Sequence, residues 1–263
     1  MPPRSKLNLD EVGMTFATPA GPFQALAPLT LSIPPGRFVS LIGPSGCGKS
    51  TVFNIVAGLL RPTAGRVFID GDDATGTIGR VGYMLQKDLL LPWRTVVDNV
   101  ILGMEIQGVP LRHARERALP LLRRYGLGGF EHVHPNALSG GMRQRAALLR
   151  TLLFDSDVML LDEPFGALDA QTKLHMQEWL LALWSDFGKT VVFVTHDVDE
   201  AIYLSDEIYV MATRPGRLVE TIPVPIARPR QRRASLTREF IEIKERCMHL
   251  LTAAHNAALE EAA

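Results

Sequence analysis

The sequence predicts an α/β fold, and three observations carry that expectation. Short apolar runs at residues 38–42, 67–69, 81–85, 158–161 and 191–194 alternate with longer segments of helical periodicity. The runs at 38–42, 158–161 and 191–194 are near-continuously apolar, as buried parallel strands with helices on both faces require. Hydrophobic residues are 46% and charged residues 21% of the 263, with 22 Gly and 18 Pro, so the chain can bury a large core without disulfide staples.

Along the chain, the strand at 38–42 runs into a glycine-rich loop and then an apolar-periodic helix. From Gln86 to Leu138 no strand pattern stands out, and helical patterns at 95–107 and 111–125, parted by Gly108-Val109-Pro110, read as a helical insertion. A further helix is expected over 143–154, ahead of the strand at 158–161. Residues 218–229 mix proline with short β-type stretches. Ser235 then opens a last helix, with an apolar face of Leu236, Phe240, Ile243, Cys247, Leu250, Ala254 and Ala258. Arg228, Arg230, Arg232 and Arg233 read as a solvated, charged linker.

Lys plus Arg total 28 and Asp plus Glu total 28, so no net field draws the chain to nucleic acid. The two cysteines, Cys47 and Cys247, are far apart and lack metal-ligand spacing, which fits a reducing compartment. The N-terminus lacks the apolar core of a signal peptide, and the longest apolar stretch, 52–60, is broken by Asn54 and far too short to span a membrane. A protein that is neither exported nor membrane-spanning is expected.

The loop is Gly43-Pro44-Ser45-Gly46-Cys47-Gly48-Lys49-Ser50-Thr51. Its glycines allow successive backbone N–H groups to face one anion, and the helix start adds a positive dipole end. Lys49 can reach the outer phosphates and the Ser50 hydroxyl can ligate magnesium. The run at 158–161 ends in Asp162-Glu163-Pro164, at the carboxyl end of a strand, where phosphate ligands bind in doubly wound sheets. Asp162 suits magnesium, through water, and Glu163 can take a proton from an attacking water. This much defines a nucleoside-triphosphate hydrolase or transferase. No Asn-Lys-x-Asp segment for guanine recognition occurs.

Leu138-Ser139-Gly140-Gly141-Met142 alone is a capped helix start. In company with the other motifs it resembles the signature of the nucleotide-binding subunits of ATP-binding cassette (ABC) transporters. In that resemblance, which runs from about residue 7 to about 220, residues 43–51 are the Walker A loop, Gln86 the glutamine loop and residues 158–163 Walker B. Phe165-Gly166-Ala167-Leu168-Asp169 is the D-loop, and His196 the switch histidine that senses the γ-phosphate. Residues 88–100, 164–172 and 196–206 resemble the nitrate, sulfonate and taurine importer group, which also includes carriers of thiamine-related pyrimidines.

The resemblance implies a P-loop NTPase fold of the ABC type, with a mainly parallel core sheet, an antiparallel β subdomain and a helical insertion. Residues 1–234 would form the nucleotide-binding domain, with a helical subdomain at about 87–155, and residues 235–263 a helical tail. It implies ATP and Mg2+ as ligands, with Ser50, Gln86 and Asp162 toward the metal and Glu163, His196 and Gln86 in catalysis. It also implies a head-to-tail homodimer in which Ser139, Gly140 and Gly141 reach the ATP of the other copy and Asp169 belongs to the D-loop contact. Transmembrane permease subunits would dock near Leu91-Pro92-Trp93, a periplasmic or extracellular binding protein would deliver solute, and the subunit would lie on the cytoplasmic face of the inner membrane. Exporter and DNA-repair or translation cassettes share these motifs; long coiled coils or paired cassettes, which mark the latter, are absent from the sequence. Met142 replaces the usual Gln, and Phe16 stands nearest to the Tyr that commonly stacks on adenine. Cys47, inside the loop, is a candidate for thiol sensitivity.

Overall fold

The computed structural model describes residues 5–260, and their side chains except those of His255 and residues 257–260. The side chain of Ala258, from the expected apolar stripe, and the outermost ends of the expected domains, residues 1–4 and 261–263, lie outside what is described. In chain order the main elements are β1 (Leu7–Thr18), β2 (Gly21–Ile33), β3 (Phe38–Ile42), α1 (Lys49–Val56), β4 (Ala64–Ile69), β5 (Asp72–Asp73) and β6 (Gly82–Met84). Then come α2 (Val96–Val100), α3 (Leu102–Ile106), α4 (Leu111–Leu122), α5 (Gly140–Leu153), β7 (Val158–Asp162), α6 (Ala170–Phe187) and β8 (Thr190–Val194). The chain continues through α7 (Val198–Leu204), β9 (Glu207–Ala212), β10 (Arg217–Pro223) and α8 (Arg238–Glu260).

These elements divide into two compact units, one built from the chain up to Arg80 and from Gly188 onward, the other from Val81 to Phe187. In the first, β3 pairs in parallel with β8 and with β9, and β10 pairs antiparallel with β9. All five residues of β3 and of β8 are buried, which is why their sequences lack the alternation of a one-faced strand. An antiparallel sheet of order β2-β1-β4-β5 completes this unit. Its core comes from the alternating inward residues Leu7, Leu9, Leu29, Leu31 and Ile33. In the second unit β6 pairs in parallel with β7, and α2 and α4 pack on α5. The mainly parallel core, the antiparallel subdomain and the helical insertion are thus all present.

Local departures from the sequence expectation have physical causes. The long helix expected at 95–107 is two short ones, both lying within that span. The last helix starts after Thr237, not at Ser235, because the Thr237 hydroxyl accepts from the Phe240 amide and its carbonyl from that of Ile241. Leu236 therefore falls before the helix and is 81% exposed, while Phe240, Ile243, Cys247 and Ala254 form the buried stripe. Helix α8 lays that stripe on β9 and α7.

Of the arginine cluster, Arg232 and Arg233 are exposed as expected, but Arg228 and Arg230 are not solvated. Arg230 is buried, and its guanidinium donates to the carbonyls of Ile202, Tyr203, Ser205, Val224 and Ile226 at 2.6–3.2 Å. Arg228 donates to the Leu204 carbonyl at 2.6 Å and pairs with Asp206 at 2.9 Å, and Asp206 in turn accepts the Phe38 amide. The carbonyls at the end of α7 have no intrahelical partners, and these two arginines supply them. Burial pushes the Arg230 guanidinium down to about 10, still charged at neutral pH.

Arg230→Leu is expected to lower stability by about 3 kcal/mol or more, because five acceptors lose a buried donor, and Arg230→Lys, with three donors on one atom, recovers little of it. Urea unfolding midpoints check this; a midpoint equal to the parent's would show these bonds to be dispensable.

Candidate functional site

In the first unit, buried β3 delivers the chain to Gly43. A Cβ on Gly43 would lie 2.6 Å from the Cys47 sulfur and 2.7 Å from the Met211 carbonyl oxygen, so the loop closes on itself only with glycine there. Gly48, at φ +90°, precedes the first residue of α1, and a Cβ on it would lie 2.5 Å from a Leu26 methyl. The Cys47 amide bonds the Pro44 carbonyl at 3.2 Å, forming a turn, and the Val52 amide bonds the Gly48 carbonyl at 2.9 Å. Lys49 Nζ, almost wholly buried, donates to the Gly43 carbonyl at 2.8 Å and the Pro44 carbonyl at 3.1 Å. A cation held on the inner rim of a turn followed by a helix start is suited to an anion with several oxygens. Ser45, Gly46 and Ser50 are exposed, and Pro44 and Thr51 half-buried.

Cys47 is fully buried, and burial pushes its thiol up despite the Lys49 amine at 3.5 Å. A buried thiol with a raised pKa is a poor nucleophile, and packing is the role its surroundings give Cys47.

His196 is exposed, on the connection from β8 to α7. The turn that presents it is tied down by buried Thr195, whose hydroxyl meets the Glu200 carboxylate and accepts the Asp197 amide at 3.1 Å. Asp197 caps α7, accepting the Glu200 amide at 3.2 Å. Phe16, half-buried on β1, stands opposite Phe23 on β2, which is 56% exposed. Phe23 escaped the sequence reading; its signal is the close turn between Thr18 and Gly21, which makes the two aromatics a cross-strand pair.

The second unit holds the carboxylates. Asp162 ends β7 almost buried and is hydrogen-bonded to the phenol of Tyr83 on β6; burial first, then this carboxylate, pushes the phenol up. Glu163 has φ +46°, a left-handed conformation that costs a non-glycine residue about 1 kcal/mol or more. Its carboxylate accepts from the Gln86 side-chain amide at 3.1 Å. Nothing in the sequence signals that strained backbone. Asp169 caps α6, accepting the amides of Gln171 and Thr172 at 3.1 and 3.0 Å; the Thr172 hydroxyl first, then the Thr172 amide, holds its carboxyl below the usual range.

Helix α5 begins at Gly140, three residues before the expected 143, because Ser139 caps it by accepting the Met142 amide at 3.3 Å. Gly140 and Gly141 therefore form the first turn, where backbone N–H groups have no intrahelical acceptor. The fold thus places the 43–51 loop, His196 and Phe16 in the first unit, and Gln86, Ser139–Gly141, Asp162, Glu163 and Asp169 in the second.

A family model described as "ABC transporter" matches residues 26–166. The chain belongs to the ABC transporter family. It is 42% identical, over 94% of its length and 91% of the relative, to an uncharacterised ABC transporter ATP-binding protein of Methanocaldococcus jannaschii. It is 45% identical, over 75% of its length and 78% of the relative, to the taurine import ATP-binding protein TauB of Yersinia pestis. Among solved structures it resembles a dimeric ATP-binding cassette in a post-hydrolysis state bound to ADP and Pi. The TM-score is 0.73 at 32% identity, over 84% of this chain and all of that one. This ABC protein is an ATP-binding, ATP-hydrolysing subunit. Among its described residues no helix is long and apolar enough to cross a membrane.

Iodoacetamide at pH 8 is expected to leave Cys47 unlabelled in the folded subunit and to label it after urea unfolding, as read by mass spectrometry of the loop peptide. Rapid labelling of the folded form would overturn the packing role.

Proposed function

We propose that this ABC subunit is the ATP-hydrolysing motor of an importer, energising uptake of a small solute, taurine-, sulfonate- or nitrate-like or a thiamine precursor, through a separate permease. The observation that carries the reading is Trp93, which is 72% exposed on a turn held by the fully buried Asn99. An aromatic so displayed on a fixed turn suits a protein partner. The 45% identical relative named for taurine import supports the direction of transport.

In this reading the backbone N–H groups of the 43–51 loop, Pro44 apart, and Lys49 hold the ATP phosphates, and Phe16 stacks on adenine. Ser50, Gln86 and Asp162 are hard oxygen donors of the kind magnesium prefers, and the metal, when bound, neutralises charge on the β- and γ-phosphates. Glu163 accepts the proton of the attacking water, whose oxygen bonds the γ-phosphorus as the bond to the β-phosphate oxygen breaks, giving ADP and phosphate. His196 bonds the departing phosphate. Ser139, Gly140 and Gly141 contact the ATP of a second copy, so that two copies pair head to tail and Asp169 lies at their junction. Residues 1–234 act as the nucleotide-binding domain, with 87–155 as its helical part and 235–263 as a tail. The subunit rides peripherally on the cytoplasmic face of the inner membrane, with a binding protein outside.

Lys49→Ala is expected to lower ATP affinity at least about tenfold by calorimetry. Glu163→Gln should retain ATP and accumulate an ATP-bound dimer while turnover falls about a hundredfold or more; wild-type turnover would remove Glu163 from catalysis. Trp93→Ala should stop a polytopic permease from co-purifying out of detergent-solubilised membranes; undiminished co-purification would remove the docking role, and loss of ATP affinity would assign Trp93 to the fold instead.

A further inference from the structure

Within the Val81–Phe187 unit, an unbroken series of polar contacts runs from the Trp93 turn to the residue before Ser139. Asn99 accepts the Leu91 amide at 2.7 Å and donates to the carbonyls of Leu91, Arg94 and Thr95 at 3.0–3.2 Å. Upstream, Leu89 has φ +45°, and Arg150 of α5 donates to the carbonyls of Asp88 and Leu89 at 2.5 and 2.8 Å. The Asp88 carboxylate accepts the Leu90 amide at 3.1 Å with one oxygen and Arg143 Nε at 3.3 Å with the other. Arg143 Nη1 then donates to the Leu138 carbonyl at 2.8 Å. Leu138 adjoins Ser139, whose side chain caps α5.

Arg143 therefore sets the carbonyl that leads into the cap, and Asp88 sets Arg143. The side chains of this pair are 38% and 30% exposed, so the ion pair adds little stability; what it fixes is geometry. The Nε and one Nη of the planar guanidinium donate from two separate atoms to two different chain segments, a fixed fork that the single nitrogen of an ammonium does not reproduce. Both residues belong to the Val81–Phe187 unit, whereas the 43–51 loop belongs to the other.

We propose that Arg143, held by Asp88, is a positioning residue of the signature, fixing Ser139, Gly140 and Gly141 for the ATP of the second copy. The proposal rests on the two-copy reading above. It separates two quantities that a merely structural role would move together: ATP affinity of the single subunit, and ATP-driven pairing.

The test is sedimentation of Glu163→Gln protein with saturating ATP, alone and combined with Asp88→Ala, Arg143→Ala, both, or Arg143→Lys. Each alanine variant should raise the concentration for half-pairing about tenfold, and the double variant should do no worse than either single one, since both break one linkage. Arg143→Lys should recover only part of the loss. ATP affinity at dilutions where the protein is monomeric should stay within about twofold. Asp88→Asn, which keeps an acceptor for the Leu90 amide, replaces Asp88→Ala if that variant unfolds. Unchanged pairing in both single variants, or losses that multiply in the double, would overturn the proposal alone. A Glu163→Gln parent that stays monomeric with ATP would overturn the two-copy reading and this proposal with it.

Discussion

One steric constraint governs the phosphate chemistry: β3 must turn into α1 with almost no volume to spare. Two positions in that turn have no room for a Cβ, at Gly43 against Cys47 and Met211 and at Gly48 against Leu26. The compression brings the Gly43 and Pro44 carbonyls and the Lys49 amine into one small space. Buried β3 and its parallel neighbours hold the turn from below, so the apolar sheet interior fixes a polar function at its edge. Cys47 belongs to this packing, since its sulfur fills the space facing Gly43.

The second unit is organised differently. Its chemistry-bearing groups are fixed by hydrogen bonds at element ends: Ser139 on α5, Asp169 on α6, Tyr83 on Asp162, Gln86 on Glu163. The left-handed backbone of Glu163 belongs with these. A residue held at such a φ against its preference is over-determined by its surroundings, and its carboxylate is held in turn by the Gln86 amide.

The sequence made the strands at 38–42, 158–161 and 191–194 legible because each is buried on both faces, and motif order made the 43–51 loop and the 138–142 signature legible. Strands β1 and β2 were missed as elements. Their register shifts near Glu11 and Val12 break the alternation that a pattern search follows, and Phe23 was missed with them. The burial of Arg230 was invisible for another reason. Four arginines within six residues look solvated until the end of α7 is known to leave carbonyls there without partners. Likewise the Asp88–Arg143 contact joins residues 55 apart, and neither is unusual in its own segment.

The two kinds of fixing bear on how a motor can work. A packed apolar core responds to ligand only by large, costly rearrangement, because a cavity or a clash costs several kcal/mol. Partly exposed hydrogen bonds and ion pairs contribute about 1 kcal/mol each, because water replaces whatever breaks. A ligand shifts an equilibrium only by its difference in affinity for two states, so groups fixed by the second kind of contact are the ones a bound ligand can move at least cost. The signature cap, the Asp88–Arg143 pair and the Gln86–Glu163 bond are all of this kind. The strands beneath the phosphate loop are not. The molecule thus holds the scaffold of its 43–51 loop by packed core and places its more easily broken contacts around Ser139, Gln86 and Glu163.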